Sequence, residues 1–124
     1  MEDHRIADIT LAPSGEKKIA WAWHAMPVLR LLQDREGPKR PLEGTTVACC
    51  LHLEAKTACL LRVLHALGAR VCAAGSNPLS TQDDVCAALA ASGIHVYSRR
   101  GMSSEEYAEN LRLWRQIYEP TVYF

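Results

Sequence analysis

The amino-acid sequence predicts an α/β protein built on a parallel sheet with crossover helices, and three observations lead there. From residue 45 onward, short runs of β-branched and small apolar residues (TTVACCL, ARVCAAG, IHVYSRR) alternate with longer runs of helical spacing. Two of those longer runs, EAKTACLLRVLHALG and STQDDVCAALAASG, stand between the strands where a parallel sheet needs its crossovers, and the third, SSEEYAENLRLWRQIY, follows the last strand. Glycines Gly68 and Gly93 fall just past the first two helical runs, where a left-handed residue closes a helix.

Taken in order, the chain opens with a helical layer. In EKKIAWAWHAMPVLRLLQ (16–33), Ile19, Ala22, Trp23 and Met26 share one helical face, and Pro27 removes a backbone donor, dividing the stretch into two pieces. DREGPKRPLEG (34–44) concentrates charge, Pro and Gly and reads as a solvated connection. The first strand then runs to His52. In the helix after it, Leu60, Leu61, Val63, Leu64 and Leu67 form one broad apolar face. The second strand ends near Gly75. The next helix has Ser80 as its expected N-cap, with Asp83 three residues on. The last helix places Tyr107, Leu111, Trp114 and Tyr118 on one face, with Ser103 or Ser104 as N-cap and Glu105 and Glu106 beside the positive end of its dipole. The expected architecture is a three-layer, Rossmann-like or flavodoxin-like parallel sheet preceded by the helical layer. Residues 1–44 supply that layer and the linker, and 45–124 the β-α-β-α-β-α unit.

At 124 residues the chain suits one domain with a real core. Fourteen basic residues balance fourteen acidic ones, so no net field attracts nucleic acid or an anionic membrane. The basic doublets Lys17-Lys18, Lys39-Arg40 and Arg99-Arg100 read as solvated surface. No apolar run approaches the roughly 20 residues that span a bilayer, and the start of the chain lacks a secretion-signal layout, so a cytoplasmic protein without a membrane partner is expected. Cys49, Cys50, Cys59, Cys72 and Cys86 form an odd set with no CxxC, each in apolar company, and read as small buried hydrophobes. No GxGxxG follows a strand and no GxxxxGK[ST] occurs, so neither a dinucleotide nor a nucleoside triphosphate has its usual phosphate cradle.

The candidate site lies where such sheets hold ligands, beyond the carboxyl ends of the strands. There HLEAKT (52–57) and SNPLSTQDD (76–84) offer His52, Glu54, Lys56, Thr57, Asn77, Ser80, Thr81 and Gln82. This set suits hydrogen bonding to a polyhydroxylated small molecule, with His52 able to transfer a proton near neutral pH. Plain structural roles compete: Glu54 suits the positive end of a helix dipole, Ser80, Thr81 and Asp83 suit a cap, and a histidine at a strand end serves structure as readily as a ligand. Lys56 fits less easily, because a cation in the first turn opposes the dipole. His4, His24, His65 and His95 lack comparable company. Metal binding is the weaker alternative: His52, Glu54 and Asp83 or Asp84 offer ligand atoms, but no His or Cys pair has the short spacing of a closed zinc site.

The ordered runs DITLAPSGEKKIAWAWHAMPVLRLL, PLEGTTVACCLHLEAKTACLL, LGARVCAAGSNPLSTQDDVCAALAASGIHVYSRRG and EEYAENL, over roughly residues 8–118, closely resemble the N-terminal part of the S-adenosylhomocysteine hydrolases. The resemblance implies a partial substrate (adenosine)-binding domain, with the NAD-binding domain absent from this chain. Members of that family use a tightly held NAD to oxidise the ribose 3′-hydroxyl, which acidifies C4′. Homocysteine is then eliminated, water adds at C5′, and the 3′-ketone is reduced back to give adenosine. By the same resemblance, His52 matches the histidine that handles protons at C5′. Glu54, Lys56 and Thr57, together with Asn77, Ser80 and Gln82, match positions lining the nucleoside cleft, and Ser76 stands where some relatives carry Cys. HLEAKT matches the branch with Glu and Lys at positions 54 and 56. The resemblance further implies S-adenosylhomocysteine or adenosine as ligand, no cofactor on this chain itself, and no activity in isolation. The alternatives of another class are a non-catalytic nucleoside-binding module and an interaction protein that self-associates or pairs with hydrolase subunits.

Overall fold

The computed structural model describes residues 3–116 and 122–123. A short 3-10 turn leads into α1 (Ala12–Trp23), and α2 (Pro27–Glu36) follows. Pro27 opens α2 rather than bending one long helix, since at the first helical position its missing N–H costs nothing. Beyond the predicted connection come β1 (Thr46–Leu51), α3 (Ala55–Ala66), β2 (Arg70–Gly75), α4 (Asp83–Ala91), β3 (His95–Tyr97), α5 (Ser104–Gln116) and β4 (Val122–Tyr123). The fold is α/β, as expected.

The sheet order is β3-β2-β1-β4, with every pairing parallel. β1 and β2 are paired along their whole length, from Thr46 opposite Arg70 to Leu51 opposite Gly75. β3 is shorter than the IHVYSRR run, and the N-terminal segment pairs along its outer side: the Arg5 N–H donates to the Val96 carbonyl at 2.7 Å and the Ser98 N–H to the Arg5 carbonyl at 3.0 Å. That contact covers a sheet edge that would otherwise expose unpaired donors and acceptors. β4 is an addition to the sequence reading. Val122 and Tyr123 lie opposite Val47 and Ala48, and the Tyr123 ring meets Trp114 of α5 edge-on at 5.8 Å. Tyr118, expected on the same face as Trp114, lies outside the described residues.

Strand side chains alternate between faces. Val47, Cys49, Val71, Ala73 and Val96 join one buried cluster with Ala58, Cys59 and Leu61 of α3 and Val85, Cys86 and Leu89 of α4. Cys50, of the opposite parity, meets the Tyr107 hydroxyl of α5. Right-handed crossovers explain this division: β1 to β2 to β3 steps one way across the sheet, and β3 to β4 returns past β1, which sends α5 to the other face. α1 rests on α3 and α4 as a further layer, with Ile19 and Ala22 buried. Gly68 and Gly93 close α3 and α4 with φ of +106° and +95°.

All five cysteines are free, four of them buried and Cys50 half-buried. Burial pushes the Cys49 and Cys86 thiols up to about 12 and Cys72 to about 11, so they stay protonated and pack as apolar groups.

The outer layer is positioned at one close crossing. A Cβ on Gly15 of α1 would fall 1.9 Å from the Asp84 carbonyl oxygen and 3.0 Å from the Ala88 Cβ. Around it, the Ser14 hydroxyl donates to Asp84 at 2.8 Å and Lys18 pairs with the same carboxylate at 2.8 Å. Arg62 of α3 holds Glu16 and also donates to the Ala88 carbonyl at 3.2 Å. Gly15→Ala therefore forces the two helices apart and should destabilise the protein by about 1–3 kcal/mol. Urea unfolding measures this, and an unchanged midpoint would show that the crossing relaxes freely.

Candidate functional site

β1 lies between β2 and β4, and the connections on its two sides run over opposite faces of the sheet. A crevice opens at such a point beyond the strand's carboxyl end. β1 ends at Leu51, and the in-and-out alternation continues one step further. Leu53 is fully buried in the core, which leaves its neighbours His52 and Glu54 on the outside. The apolar run is interrupted by polar residues because this is where it leaves the sheet.

Two backbone bonds lock the second loop to the first. The Ser76 N–H donates to the Leu51 carbonyl and the Gln82 N–H to the Leu53 carbonyl, each at 3.0 Å. Within the second loop the Asn77 carbonyl accepts from the Ser80 N–H at 3.1 Å, the Ser80 hydroxyl at 3.0 Å and the Thr81 hydroxyl at 3.2 Å. Asn77 Oδ1 accepts from the Leu79 N–H at 2.9 Å, an Asx turn. Buried Thr81 also shares a hydrogen bond with Ser98, just past β3, at 3.2 Å. Gly75 makes that contact possible, since a Cβ there would lie 2.5 Å from Ser98 Oγ and 2.8 Å from Thr81 Oγ1.

The two loops meet at His52, whose Nδ1 lies 2.6 Å from Ser80 Oγ and 3.4 Å from Ser76 Oγ. From the other face of the sheet, the Tyr107 hydroxyl donates to the Ser76 carbonyl at 3.2 Å. Tyr107 and Ser98 are the residues here that sequence reasoning missed. The first read as one member of an apolar helix face and the second as part of a strand, and nothing local marks either.

Ser80 is not the cap of α4. That helix begins at Asp83 with Gln82 as its N-cap, because the Ser80 hydroxyl is turned to Asn77 and His52 instead. Glu54 is a true cap: its carboxylate accepts from the Thr57 N–H at 2.9 Å, the Lys56 N–H at 3.1 Å and the Thr57 hydroxyl at 3.1 Å. Burial alone would raise its titration, but these bonds and the Lys56 charge outweigh it and hold the carboxyl below its ordinary value. Thr57 is thus bound to Glu54, while Lys56 is exposed in the first turn. The Gln82 side chain stands 3.4 Å from the Lys18 ammonium.

The acids that a metal would need are otherwise engaged, Asp83 with the Arg100 N–H at 2.8 Å and Asp84 with Ser14 and Lys18. Among the described residues no three His, Cys, Asp or Glu side chains gather as a metal site. A dinucleotide fits no better. Its pyrophosphate binds bare N–H groups at a helix N-terminus after a glycine-rich turn, and here that terminus of α3 carries the Glu54 carboxylate. No described helix is long and apolar enough to cross a membrane.

A family profile described as S-adenosyl-L-homocysteine hydrolase matches residues 3–120. Among curated proteins, the chain is 54% identical over 108 residues to an adenosylhomocysteinase of Thermococcus kodakarensis, covering 87% of this chain and 26% of that one. It is 55% identical over 107 residues to the adenosylhomocysteinase of Pyrococcus abyssi, covering 86% and 25%. To an S-inosyl-L-homocysteine hydrolase of Methanocaldococcus jannaschii it is 51% identical over 108 residues, covering 87% and 26%. The chain therefore spans about a quarter of the length of these relatives.

The Glu54 cap carries a pH signature. Its folded titration is depressed, so its contribution is complete above the ordinary carboxyl value of about 4.3 and fades as pH falls through the folded value. Glu54→Ala should cost about 1 kcal/mol at pH 7, and the gap from wild type should narrow below pH ~4. Urea unfolding at pH 7 and pH 3 reads both. An equal gap at the two values would mean that the charge plays no part.

Proposed function

Because this chain belongs to the S-adenosyl-L-homocysteine hydrolase family, we propose that it forms part of the substrate-binding wall of an enzyme that cleaves S-adenosyl-L-homocysteine, or its inosyl counterpart, into nucleoside and L-homocysteine. The observation that carries this reading is His52, at the carboxyl end of the strand from which the strand order runs both ways and 2.6 Å from a hydroxyl of the neighbouring loop. An imidazole held there suits proton transfer at the carbon–sulfur bond, giving a proton to the departing homocysteine and taking one from the entering water.

The other residues serve the cleft in different ways. Glu54, with both oxygens on the helix N-terminus, and Thr57, bonded to it, fix the cleft's shape. Lys56, Gln82 and the amide NH2 of Asn77 are the groups that offer hydrogen bonds to a nucleoside. Ser80 belongs to the same wall through its contact with His52. The relatives include both an adenosylhomocysteinase and an S-inosyl-L-homocysteine hydrolase, and both bases fall within the proposed substrate class. Five free thiols suit the reducing cytoplasm, where we place the protein.

NAD, the oxidant of this family, would be held by residues outside this chain, since the residues here do not fit it. The isolated 124-residue chain should therefore give no turnover, and release of adenosine or homocysteine by the purified chain would refute that. Within a full-length enzyme carrying this segment, His52→Ala should lower kcat by about a hundredfold or more while changing stability by no more than about 0.5 kcal/mol. Paired kinetics and urea unfolding test this. A loss of stability that matches the loss of turnover would make His52 a structural residue.

A further inference from the structure

Which ring nitrogen of His52 carries the proton depends on where the Ser80 hydroxyl directs its own, toward the Asn77 carbonyl or toward the imidazole. Ser80 has one hydroxyl proton. Its Oγ stands 3.0 Å from the Asn77 carbonyl, which can only accept, and 2.6 Å from His52 Nδ1. With the hydroxyl proton directed to Asn77, the Ser80 oxygen has only lone pairs left for the imidazole, and Nδ1 must bring the proton. The Ser76 hydroxyl, at 3.4 Å from the same nitrogen, provides a second and more distant oxygen.

From this geometry we infer that Ser80 is a positioning residue: it holds His52 in the Nδ1–H tautomer and leaves the Nε2 lone pair as the atom that takes up and releases protons. The inference rests on the proposed role of His52 only for its consequence in catalysis; the tautomer itself is a property of this chain. Free histidine in water prefers its proton on Nε2, so the hydrogen bond to Ser80 works against the intrinsic preference. When Nε2 gains a proton the Nδ1–H···Oγ bond persists unchanged, so the ring can alternate between base and acid without reorienting.

The anchoring of Ser80 explains why this residue and not an arbitrary hydroxyl sets the ring. Its N–H and its Oγ both bond the Asn77 carbonyl, and that carbonyl is itself held by buried Thr81, clamped to Ser98 under Gly75. A hydroxyl with its proton already directed is an acceptor only, which distinguishes the two tautomers.

Long-range proton–nitrogen NMR of the 124-residue chain labelled with nitrogen-15 histidine, at a pH where His52 is neutral and with assignment by loss of its signals in His52→Asn, reads the tautomer directly. The expected result is a dominant Nδ1–H form in wild type, a shift toward Nε2–H in Ser80→Ala, and recovery in Ser80→Thr. In a full-length enzyme the same Ser80→Ala change should lower kcat about tenfold to a hundredfold with KM little altered, and Ser80→Thr should restore most of it. A dominant Nε2–H form in wild type overturns the inference whether or not the variants fold. So does an unshifted tautomer in a folded Ser80→Ala chain. Loss of the catalytic role of His52 with the Nδ1–H tautomer intact would instead refute the proposed function and leave the positioning role standing.

Discussion

Everything at the candidate site depends on β1 being paired on both sides. Its hydrogen bonds to β2 and to β4 are parallel, so each neighbour reaches it through a crossover, and the crossovers on its two sides lie on opposite faces of the sheet. Helix and loop cannot close over the carboxyl end of such a strand from both directions at once. The opening that results is where Leu51 hands the chain to His52. Leu53 then returns to the core as an anchor, and the polar residues on either side of it are held outside by the strand's own alternation.

At the mouth of this opening, structural and functional chemistry divide the polar residues between them. Glu54 answers the bare N–H groups of α3, which any helix must satisfy, and Asn77 answers those of its own turn. These side chains give the loops one shape. His52 makes a different kind of contact: its ring meets the hydroxyls of Ser80 and Ser76 on the other loop, so its position depends on the whole arrangement and not on its own turn. The carboxylate at the start of α3 already occupies the N–H groups that would otherwise meet an anion there.

The small side chains of the core allow these parts to come close. Cysteine and alanine fill β1 and β2 where bulkier residues would push the layers apart, and Gly15 and Gly75 permit two approaches that a Cβ would block. One brings α1 onto the start of α4, the other brings the 76–82 loop onto the end of β3. Both contacts bear on the same loop, from its two sides.

The alternation of strands and helices, the break at Pro27, the glycine caps at Gly68 and Gly93, and the two polar loops at one edge of the sheet were all legible in the sequence, because periodicity and turn chemistry are local properties. So were four buried cysteines and the suitability of Glu54 for the positive end of a helix dipole, though not that its carboxylate caps α3. The extra strand β4 was not, since two residues carry no pattern and their partner is Val47-Ala48, far away in the chain. The cap expected of Ser80 failed for a related reason. Locally a serine before an acidic helix start looks like a cap, and only the arrival of His52 from another loop gives its hydroxyl a different task. The sequence by itself determined which segments form strands and helices and which residues can ionise or hydrogen-bond. The tertiary structure alone decided which of those groups face one another, because that depends on strand order and on close approaches between segments distant in the chain.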